Sequence, residues 1–158
     1  MVSTVKPIPD GYHTATPYLI TNNAESAIEF YKKAFNAIEK MRLKDPTGKI
    51  MHAEIMIGAS PIMLADEFPD MNALSPQSLG GSPVSIHLYV EDVDAMAAQA
   101  VAAGAKVCRP VEDQFYGDRT GTLTDPFGHT WTIATHKEDV SLEEVEKRFA
   151  ALCTTADA

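Results

Sequence analysis

Several side chains that could do chemistry are crowded into residues 115–131, FYGDRTGTLTDPFGHTW. Arg119 carries a planar, permanently charged guanidinium that suits carboxylate and phosphate ligands, and Tyr116 lies just before it. The same stretch contains the turn sequence DPFG, in which proline fixes φ and glycine permits a positive φ. We therefore interpret it first as two strands joined by a turn, with Arg119 as the residue expected to contact a ligand.

Two histidines outside that stretch lie on predicted strands. His87 stands in the middle of the apolar run VSIHLYV. Its side chain suits a general base or a ligand-orienting donor, and it equally suits a buried, hydrogen-bonded position. His52 shares a strand face with Glu54, because side chains two residues apart project to the same side. The sequence shows no glycine-rich phosphate motif and no serine or cysteine nucleophile with a partner.

The composition excludes several classes of function. The chain has 158 residues, 45% of them hydrophobic and 22% charged, as expected of one compact soluble domain. Its net charge is −9 and no basic stripe is present, which argues against nucleic acid and anionic membranes as partners. No apolar run approaches the ~18 residues needed to span a bilayer. Cys108 and Cys153 form no CxxC motif, so we predict a cytoplasmic, thiol-reduced protein.

Apolar periodicity and turn residues predict two successive sets of elements that would position these side chains. Each set consists of a strand, a helix and three further strands. The predicted organisation is an extended arm at 1–15, a first module at 16–67, a linker at 68–83, a second module at 84–136 and a C-terminal helix at 141–153. Asn23 and Asp92 stand where helix N-caps are needed, and Ser141 with Glu144 forms a capping box.

The two sets repeat at a constant offset. Placing Thr16 on Ser85 gives 85 − 16 = 69, and at that offset Gly48 coincides with Gly117. Internal symmetry of this kind indicates a duplicated supersecondary unit. We therefore predict an α+β fold in which two tandem βαβββ modules form a cupped mixed sheet around a cavity. By strand parity, Trp131 is expected to face the helix layer.

Five stretches, taken in order, resemble a known superfamily. They are PYLITNNAESAIEFYKKAF, HAEIMIG, IHLYVEDVDAMAAQAVAAGAKV, QFYGDRTG and DPFGHTWTIATHKEDVS. Together they resemble the PhnB-like branch of the vicinal-oxygen-chelate superfamily, which includes glyoxalase I, bleomycin- and fosfomycin-resistance proteins and extradiol dioxygenases. The resemblance implies the glyoxalase/bleomycin-resistance-like fold and a homodimer whose sites lie in the cupped sheet.

The resemblance also indicates where the metal enzymes of the superfamily place their ligands. Carried over by the pattern, these positions are Thr16, Met63, Ser85 and Thr132. Hydroxyl and thioether groups are poor ligands for a divalent zinc, nickel or iron ion, which prefers imidazole or carboxylate. We therefore expect no bound metal and no cofactor. The predicted ligand-binding cavity is lined by Thr16, Tyr18, His52, Met63, Ser85, His87, Tyr116, Arg119 and Thr132.

These observations favour a metal-free member of the superfamily that binds a small molecule. A metal-dependent lyase or isomerase of the glyoxalase kind, or a dioxygenase, is the alternative that family resemblance alone supports. An interaction module whose vestigial cavity is filled by its own side chains is the third. Whether the protein is an enzyme, and which residues would be catalytic, stays open at this point. The arm and the C-terminal helix suit a role in wrapping a second copy of the chain.

Overall fold

The computed structural model describes residues 5–156 of the chain. Within that range, eight strands and four α-helices are formed. The first half contains β1 (Tyr18–Thr21), α1 (Ala24–Phe35), β2 (Ile38–Lys44), β3 (Ile50–Ile57) and β4 (Ser60–Asp66). The second half contains β5 (Ser85–Tyr89), α3 (Val93–Ala103), β6 (Lys106–Asp113), β7 (Asp118–Thr124) and β8 (Thr130–His136). The short helix α2 (Pro76–Leu79) precedes β5, and α4 (Leu142–Ala156) follows β8.

The strands form two four-stranded mixed sheets with the same topology. Sheet 1 has the order β1-β4-β3-β2 and sheet 2 the order β5-β8-β7-β6. The first and fourth strands of each sheet pair in parallel, and the other neighbours pair antiparallel. The α+β class with two tandem βαβββ modules is therefore confirmed.

The helix starts show how closely the two modules repeat. Asn23 accepts a hydrogen bond from the amide of Ser26 at 3.0 Å, and Asp92 accepts one from the amide of Ala95, also at 3.0 Å. These are the side-chain caps that the sequence predicts, and each satisfies a helix donor with no partner inside the helix. Asn23 and Asp92 stand 92 − 23 = 69 positions apart, which is the predicted offset.

The chain divides into two compact units, each with its own core. The first unit ends at residue 82 and also includes 126–128, and the second comprises the remaining residues. In the first unit the fully buried side chains include Ile28, Tyr31, Ile55, Ile62 and Leu64. In the second unit they include Val93, Leu123, Trp131 and Ile133. Trp131 is buried as predicted, and its indole N–H donates to the Asp125 carboxylate at 2.9 Å.

The segments outside the modules differ in part from expectation. The first strand begins at Tyr18 rather than at Thr16. Pro17 stands between them and has no N–H to donate to the sheet, although its carbonyl accepts a hydrogen bond from Met63 N at 3.0 Å. Residues 1–4 of the predicted arm lie outside the described residues, and 5–17 contain neither strand nor helix. The predicted linker at 68–83 contains a 3-10 turn at Pro69–Met71 and the helix α2.

The C-terminal helix α4 is attached to the turn between β6 and β7. Its first turn is capped by Ser141, whose hydroxyl accepts from the amide of Glu144 at 3.2 Å. Arg148 pairs with Glu138 at 3.0 Å and donates to the carbonyl of Phe115 at 3.1 Å. The Phe149 ring lies 5.6 Å from the Phe115 ring. Of the helices within 5–156, none combines the length and the apolar character that crossing a membrane requires.

The repeat supplies a matched pair of glycines for a stability test. Gly48 and Gly117 have φ of +90° and +101°, but a Cβ at Gly48 meets open space whereas one at Gly117 would lie 2.3 Å from the carbonyl oxygen of Glu138. We expect Gly48→Ala to cost about 1–2 kcal/mol through backbone strain. Gly117→Ala should cost roughly 1–3 kcal/mol more through the clash. Urea denaturation followed by circular dichroism measures both, and equal losses would contradict the predicted clash.

Candidate functional site

In each sheet, side chains alternate between a face covered by a helix and an open face. We define the open face of sheet 1 as the side opposite α1, and that of sheet 2 as the side opposite α3. The alternation follows from the strand geometry, since successive side chains point to opposite sides. In β4, for example, Ile62 and Leu64 are buried on the helix side while Met63 between them is partly exposed. The predicted site residues can therefore be assigned to faces by register.

Sheet 1 gathers four polar side chains on its open face. Tyr18 on β1 lies opposite Met63 on β4, which in turn lies opposite Glu54 on β3. The Tyr18 hydroxyl is 2.9 Å from Nδ1 of His52, and Nε2 of His52 is 3.1 Å from the Glu54 carboxylate. Tyr12, from the arm, donates its hydroxyl proton to the other oxygen of Glu54. The predicted residues Tyr18, His52 and Met63 are thus brought together.

Exposure decreases along this cluster. Tyr18 is 47% exposed, whereas the side chains of His52 and Glu54 are 26% and 15% exposed. Partial burial disfavours the phenolate, so the pKa of Tyr18 lies above its ordinary value. The cluster therefore presents a neutral phenol at its accessible end and a carboxylate at its inner end. Glu54 and Tyr12 are absent from the predicted cavity, although Glu54 was placed on the same face as His52.

Sheet 2 places three predicted residues on its open face. His87 on β5 lies opposite Thr132 on β8, and Ser85 lies opposite Thr130. The Thr132 hydroxyl is 3.1 Å from that of Thr122 on β7. The ring of His87 lies 4.9 Å from that of Tyr89. This face is consequently rich in hydroxyl groups that can exchange hydrogen bonds with a ligand.

A second polar cluster on the same face escaped the sequence analysis. Asp118 is buried and accepts hydrogen bonds from the Tyr89 hydroxyl at 2.7 Å and from Nδ1 of His136 at 2.7 Å. Nε2 of His136 lies 2.8 Å from Asp139. The side chain of His136 is half exposed. Its parity with Thr132 on β8 was the available signal, since both lie on the open face.

Within this cluster, the carboxylate of Asp118 and the imidazolium of His136 stabilise each other's charged form. Burial of Asp118 opposes its ionisation, but the hydrogen bonds from His136 and Tyr89 outweigh burial and hold the pKa of Asp118 below its ordinary value. The hydrogen bond to Asp118 and a second one to Asp139 raise the pKa of His136. The pKa of Tyr89 is also raised, chiefly because its proton is held by Asp118. The cluster is therefore stabilised as a carboxylate–imidazolium pair.

Arg119 does not lie where the sequence analysis placed it. The register Arg119↔Thr135 puts its side chain on the helix side of sheet 2, opposite to His87. There it binds both carboxylate oxygens of Asp94 at 2.8 and 2.9 Å and contacts Asp113 at 3.1 Å. The side chain of Arg119 therefore links strand β7 to helix α3 instead of facing the predicted cavity. The physical reason is that β7 already begins at Asp118, so strict alternation turns Arg119 away from the open face.

Two further predicted residues lie outside the strands. Tyr116 lies in the turn between β6 and β7, where its ring packs edge-on against Phe115 at 5.2 Å. Thr16 precedes β1 and is partly exposed. Neither residue has a strand register that assigns it to an open face.

The four positions that the family resemblance assigns to metal ligands do not fit a divalent transition metal here. They carry Thr16, Met63, Ser85 and Thr132, and the Thr132 hydroxyl is engaged with Thr122. Zinc, nickel and iron sites are built from imidazole, thiolate and carboxylate ligands, whereas neutral hydroxyls and a single thioether bind such ions weakly. Across residues 5–156, no group of three histidine, cysteine, aspartate or glutamate side chains is arranged to hold a metal ion.

The His136 cluster leads to a prediction about pH. Because the folded-state pKa of His136 is raised by Asp118 and Asp139, its protonated form stabilises the fold fully below the ordinary value of 6.5. That stabilisation should disappear as the pH rises through the folded-state pKa. NMR titration of the imidazole should show the raised pKa directly, and Asp118→Asn should lower it.

The milder variant Asp139→Asn serves as the comparison, because it removes the second and more exposed hydrogen bond. It should lower the pKa of His136 less than Asp118→Asn does. A titration midpoint that neither substitution moves would show that the two carboxylates do not hold the imidazolium.

Comparison with known proteins identifies similar chains. A family model described as the Glyoxalase/Bleomycin resistance protein/Dioxygenase superfamily matches residues 12–133. An uncharacterized protein of Mycobacterium bovis is 43% identical over 145 residues, which cover 90% of this chain and 93% of the relative. An uncharacterized Arabidopsis thaliana protein is 32% identical over 127 residues, which cover 76% of each chain.

Solved structures share the fold. The X-ray structure of the Arabidopsis thaliana protein has a TM-score of 0.61 and 29% identity, and the match covers 78% of this chain and 98% of that one. A Bacillus cereus structure described as a PhnB protein has a TM-score of 0.60 and 18% identity, with 78% and 99% covered. At that identity the Bacillus cereus protein shows the fold alone.

Proposed function

Because this chain belongs to the glyoxalase/bleomycin resistance protein/dioxygenase superfamily, we propose that it is a PhnB-like member that binds a small organic molecule without a metal ion. The proposed ligand is planar or amphipathic. The five sequence stretches of PhnB type and the fold shared with the Bacillus cereus protein support the branch. Fold alone does not specify function, so the proposal depends on the groups that the open faces carry.

The observation that carries the proposal is the partly exposed cluster on the open face of sheet 1. A half-exposed phenol ring at Tyr18 adjoins the thioether of Met63 and the imidazole of His52. Ligand sites combine apolar and aromatic surface with a few polar groups that fix orientation. Here the Tyr18 ring and Met63 supply the apolar surface, and His52 supplies a polar group beside them.

The open face of sheet 2 offers complementary chemistry. Ser85, His87 and Thr132 present hydroxyl and imidazole groups, and all three are at least partly exposed. Such groups suit a polar or glycosylated portion of a ligand, because each hydroxyl can both donate and accept hydrogen bonds. The four positions that the resemblance assigns to metal ligands carry no imidazole or carboxylate, which a metal-dependent mechanism needs there.

A ligand screen tests the proposal. Thermal unfolding is measured with a panel of planar aromatic and glycopeptide-like compounds, with EDTA present throughout. A true ligand at ~100 Kd stabilises the folded protein by about 2.7 kcal/mol, which corresponds to a rise in Tm of roughly 5–10 °C for a chain of this size. Tyr18→Ala should abolish the rise if the ligand binds on sheet 1, and Thr132→Val should reduce it if the ligand binds on sheet 2.

The screen is repeated with zinc, nickel or manganese in place of EDTA. A rise in Tm that appears only with one of these ions would contradict the proposal and favour a metal-dependent lyase, isomerase or dioxygenase. No rise with any compound or ion would favour an interaction module instead.

We further propose that the protein is a homodimer. The support is the open face of the edge strand β2, where Ile38, Met41 and Leu43 are exposed, Ile38 to 66%. Apolar side chains along an exposed edge strand invite association with another chain. The arm and α4, expected from the sequence to wrap a partner, would add contacts of their own.

Sedimentation at micromolar concentration should therefore show a dimer, and Leu43→Glu should shift it to a monomer by placing a charge in the contact. Val101→Glu is the matched control, because Val101 is an exposed apolar residue on α3. A monomeric wild-type protein, or dissociation by the control alone, would contradict the proposed dimer.

A further inference from the structure

A continuous chain of hydrogen bonds runs across the open face of sheet 1. It begins at the half-exposed hydroxyl of Tyr18, passes through both ring nitrogens of His52 and ends at the carboxylate of Glu54. The second oxygen of Glu54 is occupied by the Tyr12 hydroxyl, so both oxygens of the carboxylate accept hydrogen bonds. Tyr12, Tyr18 and the β3 residues come from separate parts of the sequence, and only the fold aligns them.

The partners fix which atoms hold the protons. An ionised carboxylate only accepts hydrogen bonds, so the Nε2 of His52 must carry the proton that it shares with Glu54. In a neutral imidazole the other nitrogen is then an acceptor, and Nδ1 receives the hydroxyl proton of Tyr18. The lone pairs of the Tyr18 oxygen consequently face outward and can accept a proton from a bound molecule.

We propose that Tyr18, His52 and Glu54 form a proton relay that ionises an acidic hydroxyl group of the bound ligand. This inference rests on the proposed small-molecule binding at the same face. The ligand O–H bond breaks and its proton passes to the Tyr18 oxygen, while the Tyr18 proton passes to Nδ1 of His52. The products are a ligand oxyanion and an imidazolium, and no electron transfer or further reactant is involved.

Each member of the relay has a distinct role. Tyr18 contacts the ligand and exchanges protons with it. Glu54 orients the imidazole and stabilises the imidazolium, as a carboxylate does in other carboxylate–histidine pairs. After transfer, the Tyr18 hydroxyl donates to the oxyanion while His52 donates to Tyr18, so the new charge is held by charge-assisted hydrogen bonds. Tyr12 acts on Glu54 and is therefore a positioning residue.

The energetics select the ligand class. Because the final proton acceptor is an imidazole and not a stronger base, the transfer requires an acidic hydroxyl group. A hydroxyl group as weakly acidic as that of water or of an alcohol does not meet this requirement. Activated phenols and enols meet this requirement, and their planar frames suit the accessible Tyr18 ring. The proposed substrates are therefore small aromatic or enolic compounds with an acidic hydroxyl group.

The probe for the test is p-nitrophenol, whose anion is distinguished from the neutral form by its visible absorption. The full-length protein is titrated into the probe slightly below the pKa of the free phenol, and equilibrium dialysis measures the total amount bound. We expect the ratio of anion to neutral phenol to be at least about tenfold higher in the bound probe than in the free probe. His52→Gln and Tyr18→Phe should return that ratio to the value for the free probe, and Glu54→Gln should lower it.

His129→Gln is the matched control for His52→Gln, because it replaces a histidine that lies in the turn between β7 and β8 and not on an open face, and it should leave the ratio unchanged. Nitrogen NMR of ligand-free protein gives an independent readout, in which His52 should carry its proton on Nε2 and Glu54→Gln should disturb that preference. Circular dichroism verifies that each variant is folded.

The outcomes separate the relay from binding itself. Bound probe with an unchanged ratio, or a His52 tautomer protonated on Nδ1, would overturn the relay and leave small-molecule binding intact. Absence of bound probe in dialysis would overturn the assigned ligand class, while the broader ligand screen still decides the proposed function. A ratio that rises in the wild type and in His129→Gln but not in His52→Gln establishes the relay.

Discussion

The fold of each module depends on how the end of its last strand holds the start of its helix. In the first module, Asp66 accepts hydrogen bonds from the amides of Ala24 and Ile50, each at 2.7 Å. In the second module, the Thr135 hydroxyl accepts one from the amide of Val93 at 2.9 Å. The contacts to Ala24 and Val93 satisfy helix donors that lack partners within the helix, and they fix the helix across one side of the sheet. The opposite face of each sheet is left uncovered by that helix.

The two sheets share this backbone arrangement but expose different functional groups on their open faces. The open face of sheet 1 combines the Tyr18 cluster with apolar side chains along β2, whereas the open face of sheet 2 carries hydroxyl groups and the buried carboxylate of Asp118. Both sheets repeat the same strand order. The repeat therefore conserves the backbone and the helix attachment while the exposed side chains differ between the modules. Function in such a fold resides in these side chains.

On both open faces, a histidine side chain is held in place by a hydrogen bond to a carboxylate. Glu54 fixes the imidazole of His52, and Asp118 fixes that of His136. Both pairs place a carboxylate beside a histidine, but their accessible ends differ. In sheet 1 the chain ends at a half-exposed phenol that a ligand can reach, whereas in sheet 2 both ring nitrogens of His136 are already paired with carboxylates. This difference favours sheet 1 as the reactive face.

The sequence by itself determined the elements, the 69-residue repeat, the helix caps and the burial of Trp131, because these follow from local periodicity and local hydrogen bonding. Strand parity also placed His52 and Glu54 on one face, whereas Tyr18 and Met63 entered the predicted cavity through the family resemblance. Only the tertiary structure decided that Arg119 turns toward Asp94, that Tyr12 reaches Glu54, and that Asp118 joins Tyr89 to His136. These contacts depend on where a strand begins and on pairings between distant segments, which local patterns do not specify.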